Sequence, residues 1–219
     1  MATRIVIADD HKIVLQGLRS LLEQSPDLKV LAEADTGRIA VELAKTLHPD
    51  IVIMDVGLPD LNGVDATRQI VRDTPAIKVL ALSMHADRRF VTGILQAGAS
   101  GYLLKDSAFE ELSLAIQTVM RGEIYLSPII TSLLVRQLVR QPPSGEPSAL
   151  LTSREREVLQ LLAEGKATKA VAHRLGVCVK TVETHRQQIM DKLNLHTIAD
   201  LTKYAIREGL TFLDVLPRS

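Results

Sequence analysis

One cysteine, Cys178, stands among 219 residues, so no intramolecular disulfide can form, and a reducing compartment is expected. No apolar run approaches the roughly 20 residues that span a bilayer, and no charged-then-apolar leader precedes the first strand-like segment. A soluble, cytoplasmic chain without a membrane partner is therefore expected. A net charge is missing too: 26 Lys and Arg face 26 Asp and Glu, a balance that by itself selects no partner. P-loop and dinucleotide-binding glycine patterns are also absent, which removes the common nucleotide-handling enzymes.

What is present is uneven along the chain. Residues 1–125 carry 13 Lys and Arg against 17 Asp and Glu, a net −4, whereas residues 148–219 carry 11 against 8, a net +3. An acidic part followed by a basic part suits a cation site in the first and polyanion contact in the second. Hydrophobic residues make up 46% of the chain, ample for one or two cores.

Ile51-Val52-Ile53-Met54-Asp55 organises the first part. Five residues without an alternating polar face predict a strand buried on both sides, as in a parallel sheet, with Asp55 emerging at its carboxyl end. Apolar segments Arg4–Ala8, Lys29–Ala34, Lys78–Ser83 and Gly101–Lys105 alternate with amphipathic helical patterns. This predicts an α/β doubly wound, five-stranded parallel sheet over residues 1–125. Ser107 and Glu110 have capping-box spacing at the start of the last helix.

In such sheets the carboxyl edge is where ligands bind. That edge is predicted to carry Asp9 and Asp10, Asp55, Ser83 and Lys105. A polar strand end is ordinary taken singly, but acids repel one another unless a cation sits among them, and here one hydroxyl and one ammonium share their rim. These five residues resemble the receiver domain of two-component response regulators, over residues 4 to about 121. The resemblance implies that Asp55 accepts a phosphoryl group from a sensor histidine kinase and that Asp9, Asp10, Asp55 and the Gly57 carbonyl hold Mg²⁺. It further implies that Lys105 and Ser83 contact the phosphoryl oxygens, and that Tyr102 is an aromatic switch turning inward as Ser83 moves. His85, two residues after Ser83, is the candidate to hold a hydrolytic water, since Gly57 has no side chain to do so.

Residues 126–147 are read as a linker: an amphipathic, helix-like stretch over 128–141, then Pro142-Pro143-Ser144-Gly145-Glu146-Pro147, which suits neither helix nor strand. Residues 148–219 predict a small all-α domain. Thr152 and Glu155 have capping-box spacing, Gly176 marks a tight turn, and the helix Val179–Leu193 has Val182, Ile189 and Leu193 on its inner face. The run Leu151-Thr152-Ser153-Arg154-Glu155-Arg156-Glu157-Val158-Leu159, with Thr181-Val182-Glu183-Thr184-His185, resembles the LuxR-type helix-turn-helix DNA-binding domain. With the receiver, the whole chain is similar to the NarL/FixJ group of response regulators.

By that resemblance Glu183, Thr184 and Gln187 touch base edges, while Lys180, Thr181, His185, Arg186 and Lys192 mostly grip phosphate. Leu201, Tyr204 and Ala205 are implied to form a dimer contact, and the target to be double-stranded DNA with an inverted repeat whose half-sites lie about 34 Å apart. Cys178 stands where the family commonly has a capping serine, which weakens the start of the recognition helix, and is expected to be a packed rather than a redox-sensing thiol. The function expected is a phosphorylation-regulated transcription regulator, homodimeric when phosphorylated and not a turnover enzyme. The alternatives are a regulator that works without phosphate and, less well matched, an aspartate-nucleophile phosphatase. For the last, no acid stands two residues after Asp55 to serve as general acid.

Overall fold

Strands alternate with helices from Thr3 onward because each apolar strand must be covered on both faces, and a helix in every crossover supplies that cover. The computed structural model describes residues 2–84, 86–140 and 150–212. The chain divides into two compact units, Met1–Pro143 and Ser144–Ser219.

The first unit runs β1 (Thr3–Ala8), α1 (Lys12–Leu22), β2 (Leu28–Ala34), α2 (Gly37–Leu47), β3 (Ile51–Asp55), α3 (Gly63–Asp73), β4 (Lys78–Ser83), α4 (Arg88–Gln96), β5 (Gly101–Leu104), α5 (Ala108–Met120), β6 (Tyr125–Leu126) and α6 (Pro128–Arg140). All strand pairs are parallel, in the order β2-β1-β3-β4-β5-β6. The order reverses direction between β1 and β3, which opens a crevice at their carboxyl ends.

Every residue of β3 is buried, as its unbroken apolar run requires. Ile51 and Ile53 pack with Leu18, Leu112 and Ile116 on one face, while Val52 and Met54 pack with Ala40, Ala66 and Ile70 on the other. Burying each such aliphatic side chain contributes about 1.5–3 kcal/mol, so the centre of the sheet is the most strongly held part of this unit.

The sheet has six strands where five were predicted. Tyr125 and Leu126 pair with Gly101 and Tyr102, too short a segment to carry a periodic signal of its own. The following α6 packs back onto α4, with Ile130 fully buried among Val91, Ile94 and Tyr102. The first half of the segment read as a linker therefore contributes to the core of the first unit. The proline-rich run 142–147 lies outside the described residues.

The second unit contains α7 (Ser153–Ala163), α8 (Thr168–Leu175), α9 (Val179–Leu193) and α10 (Ile198–Arg207). The predicted capping box is present: Thr152 Oγ1 accepts from the Glu155 N–H at 3.2 Å, and the Thr152 N–H donates to Glu155 Oε2 at 2.8 Å. Gly176 ends α8 at φ +64°, a left-handed conformation that glycine adopts at little cost, and turns the chain into α9. Val158, Leu159, Val171, Val182, Ile189, Leu201 and Ala205 form the core.

Candidate functional site

Ala8 pairs with Met54, so the residues that follow each of them, Asp9 and Asp55, leave neighbouring strands side by side. Lys105, just past β5, reaches across to both: its Nζ lies 2.6 Å from Asp9 Oδ2 and 2.9 Å from Asp55 Oδ2. All three side chains are more than nine-tenths buried. The Gly57 N–H donates to Asp55 Oδ1 at 3.2 Å. Gly63 lets this turn close, since a Cβ there would stand 2.1 Å from the Asp55 carbonyl oxygen.

Burial raises the Asp55 carboxyl above its ordinary value; Lys105 opposes that effect and Asp9 adds to it. For Lys105, burial acts downward but is outweighed by Asp55 and Asp9, so its ammonium is held more firmly than usual. The cluster is short of positive charge nonetheless. Asp9 Oδ2 faces the Lys105 ammonium at 2.6 Å and Asp10 Oδ1 faces His11 Nδ1 at 2.8 Å, so three carboxylates stand around the Lys105 ammonium. Asp9, Asp10, His11 and Asp55 each offer a ligand atom, all within 4.8 Å of one another. Hard, closely spaced oxygens with open lone pairs fit a divalent cation.

Four predicted residues, Asp9, Asp10, Asp55 and Lys105, thus meet in one cleft. Ser83 ends β4 on the same edge, and the side chains of Ser83 and Tyr102 are hydrogen-bonded to each other. Tyr102 was expected to turn inward only as Ser83 moves; its ring is already fully buried, beside Val91, Ile94 and Ile130. Burial, partly offset by Ser83, pushes its hydroxyl up to about 12. His85 lies outside the described residues. His11 was overlooked by the sequence reading, though its place directly after two acids was a usable signal; its Nδ1 stands 2.8 Å from Asp10 Oδ1 and 3.2 Å from Asp9 Oδ1.

In the second unit, Lys180, Glu183, Thr184 and Gln187 are exposed on α9, and Thr181, His185 and Arg186 are half-buried. A helix of this length, exposed along one face and preceded by a glycine turn, can enter a major groove. Lys192 is differently occupied: its Nζ lies 2.8 and 2.7 Å from the two carboxylate oxygens of the buried Glu155. The dimer contact implied for Leu201, Tyr204 and Ala205 is not available to the first and last of these side chains. Leu201 and Ala205 are buried in the domain's own core, and Tyr204 packs against that core with the Arg207 guanidinium 5.3 Å from its ring centre. Leu201 and Ala205 are thus covered within the domain, while Tyr204 is half-buried. Cys178, expected to be packed, is exposed at the start of α9, where its side chain makes no cap; its Sγ sits 3.0 Å from Thr181 Oγ1.

The comparisons agree with this division. Residues 5–117 match the model described as response regulator receiver domain, and residues 149–205 the model described as bacterial regulatory proteins, luxR family. The chain is 35% identical to the transcriptional regulatory protein DegU of Brevibacillus brevis, over 94% of each chain. It is 38% identical to the oxygen regulatory protein NreC of Staphylococcus carnosus, over 94% of this chain and 98% of that one. Among solved structures it is similar to RcsB of Salmonella enterica serovar Typhimurium bound to a promoter in the presence of a phosphomimetic, with TM-score 0.61 and 25% identity, over 96% of this chain and all of that one.

Proposed function

Because the chain belongs to the response regulators that join a receiver domain to a LuxR-type DNA-binding domain, we propose that it is a transcription regulator controlled by phosphorylation of Asp55. The observation that carries this reading is the Lys105 ammonium 2.9 Å from a buried Asp55 at the carboxyl edge of the sheet, within a cluster of acids.

The donor is a phosphohistidine of a sensor histidine kinase. Asp55 Oδ attacks the phosphorus, the N–P bond breaks as the O–P bond forms, and the imidazole leaves with its electron pair. Asp9, Asp10, Asp55 and the Gly57 carbonyl would hold Mg²⁺, which when bound neutralises charge on the equatorial oxygens. The Gly57 N–H orients the Asp55 carboxylate, and Lys105 follows the charge from Asp55 onto a phosphoryl oxygen. Ser83 donates to another of the three new acceptors, and its hydrogen bond with Tyr102 carries that change toward β5 and α4. The chain retains the phosphoryl group and releases it by self-hydrolysis; it is not a turnover enzyme.

The product is nearly two negative charges at one sheet edge, which shift an existing equilibrium toward a DNA-binding homodimer. In it α9 reads an inverted repeat in double-stranded DNA, with Glu183, Thr184 and Gln187 toward base edges and Lys180, Thr181, His185 and Arg186 toward phosphates. A cytoplasmic location follows from these partners. The test is gel filtration together with duplex binding at stated salt, with and without a small acyl phosphate donor and Mg²⁺. Dimerisation and tighter binding are expected for the parent with donor and not for Asp55→Asn. Equal affinity for Asp55→Asn and the phosphorylated parent would instead establish a regulator that works without phosphate.

A further inference from the structure

We propose that His11 is a metal ligand, and that its nitrogen makes this cleft favour Mn²⁺ and later divalent metals over Mg²⁺. The inference rests on the reading of the acidic cleft as a cation site and adds to it the identity of one donor.

The geometry is specific to the backbone at this point. His11 precedes α1 in an extended conformation, at φ −93° and ψ 104°, the place where a side chain commonly turns forward to cap the helix. It makes no such cap. Its ring turns back instead, so that Nδ1 lies 2.8 Å from Asp10 Oδ1 and 3.2 Å from Asp9 Oδ1, where its N–H faces the carboxylates; a bound ion would take the place of that proton, which moves to Nε2. Neighbouring ligands on an octahedral ion with bonds near 2.1 Å are separated by about 3 Å, and opposite ones by about 4.2 Å. Both His11 distances suit neighbouring positions, and the 4.8 Å within which the four ligand atoms lie is slightly wider than the roughly 4.2 Å between opposite ligands, so the side chains close in by a few tenths of an ångström around an ion.

The position on the rim matters as well. Asp9 and Asp55 form the buried floor, whereas the His11 side chain is 64% exposed. It therefore occupies the side from which solvent enters, where it replaces a water rather than a protein oxygen. Mg²⁺ retains its waters and prefers oxygen, so it gains little from an imidazole there. Metals that accept nitrogen gain a bond and lose no carboxylate.

The experiment uses the full chain loaded with Mn²⁺, read by pulsed electron paramagnetic resonance for ¹⁴N modulation from a directly bound nitrogen, together with equilibrium affinities for Mn²⁺ and for Mg²⁺. The parent is expected to show the modulation. His11→Ala, a change at an exposed side chain, is expected to lose it and to weaken Mn²⁺ binding about tenfold while Mg²⁺ binding changes less than about twofold. Asp10→Asn is expected to weaken both ions. No modulation in the parent, modulation that persists in His11→Ala, or an unchanged preference between the two ions overturns the assignment of His11 while leaving the acidic cleft in place. Failure of the parent to bind either ion overturns the cleft itself and the assignment with it.

Discussion

Lys192, in the last turn of α9, binds both carboxylate oxygens of Glu155, in the first turn of α7, at 2.8 and 2.7 Å. Glu155 is 3% exposed and also closes the capping box with Thr152. One carboxylate therefore starts one helix and anchors the end of another, which makes Lys192 a positioning residue for the recognition helix.

Removing that ammonium leaves Glu155 buried without its cation. Lys192→Met is expected to destabilise the second unit by about 1–2 kcal/mol, less than the 3–5 of a fully buried pair, because the Lys192 side chain is 40% exposed. Its effect on DNA should differ in kind from that of Arg186→Ala. The latter should reduce the slope of log affinity against log salt by about 1, whereas Lys192→Met should weaken binding with the slope unchanged. Urea unfolding and salt-dependent binding of the two variants would decide.

Burial acts to raise the Glu155 carboxyl, but Lys192 and the Thr152 N–H outweigh it and hold the group below its ordinary 4.5. A depressed folded value means that the stabilisation is complete above 4.5 and is lost as pH falls through the folded value. Acid titration followed by circular dichroism should show Lys192→Met losing less stability than the parent in this window.

Asp55 behaves with the opposite sign. Its folded value is raised, chiefly by burial, so its ionised form is strained in the metal-free protein and its protonation favours folding as pH drops toward that value. Asp55→Asn is expected to stabilise the metal-free first unit by about 1 kcal/mol and to reduce the further stabilisation gained from Mg²⁺. Thermal unfolding with and without the ion measures both; a destabilised Asp55→Asn would contradict the account.

Cys178 is exposed, and the Thr181 hydroxyl beside its sulfur holds its thiol below the ordinary 9.0. Alkylation by iodoacetamide should reach half its limiting rate below pH 9.0, and Thr181→Val should move that midpoint upward. Cys178→Ser, which restores a capping hydroxyl, should raise the midpoint of thermal unfolding of the second unit.

Ile130 is fully buried against Tyr102 although it lies beyond β5 and α5. Ile130→Ala is expected to cost about 2–5 kcal/mol and to release α6. Faster amide exchange over β6 and α6, with the protection of β3 retained, is the expected signature.

The sequence by itself determined the features that local pattern encodes. An apolar run ending in an acid is a buried strand wherever it lies, so Asp55, Asp9, Asp10, Ser83 and Lys105 could be assigned to one sheet edge. A hydroxyl three residues before a glutamate caps a helix through neighbouring atoms alone, as Thr152 and Glu155 do. Only the tertiary structure decided the pairings made across distance. Leu201 and Ala205 form an apolar face under any reading, but whether a second copy or their own core covers it depends on what lies opposite. Lys192 was read as a phosphate contact because nothing near it in sequence announces Glu155, 37 residues away. The same holds for the two residues of β6, which pair only because β5 leaves an open edge for them. Periodicity reveals which face of an element is apolar and which atoms begin a helix; the partner that meets that face is selected by the packing of the whole unit.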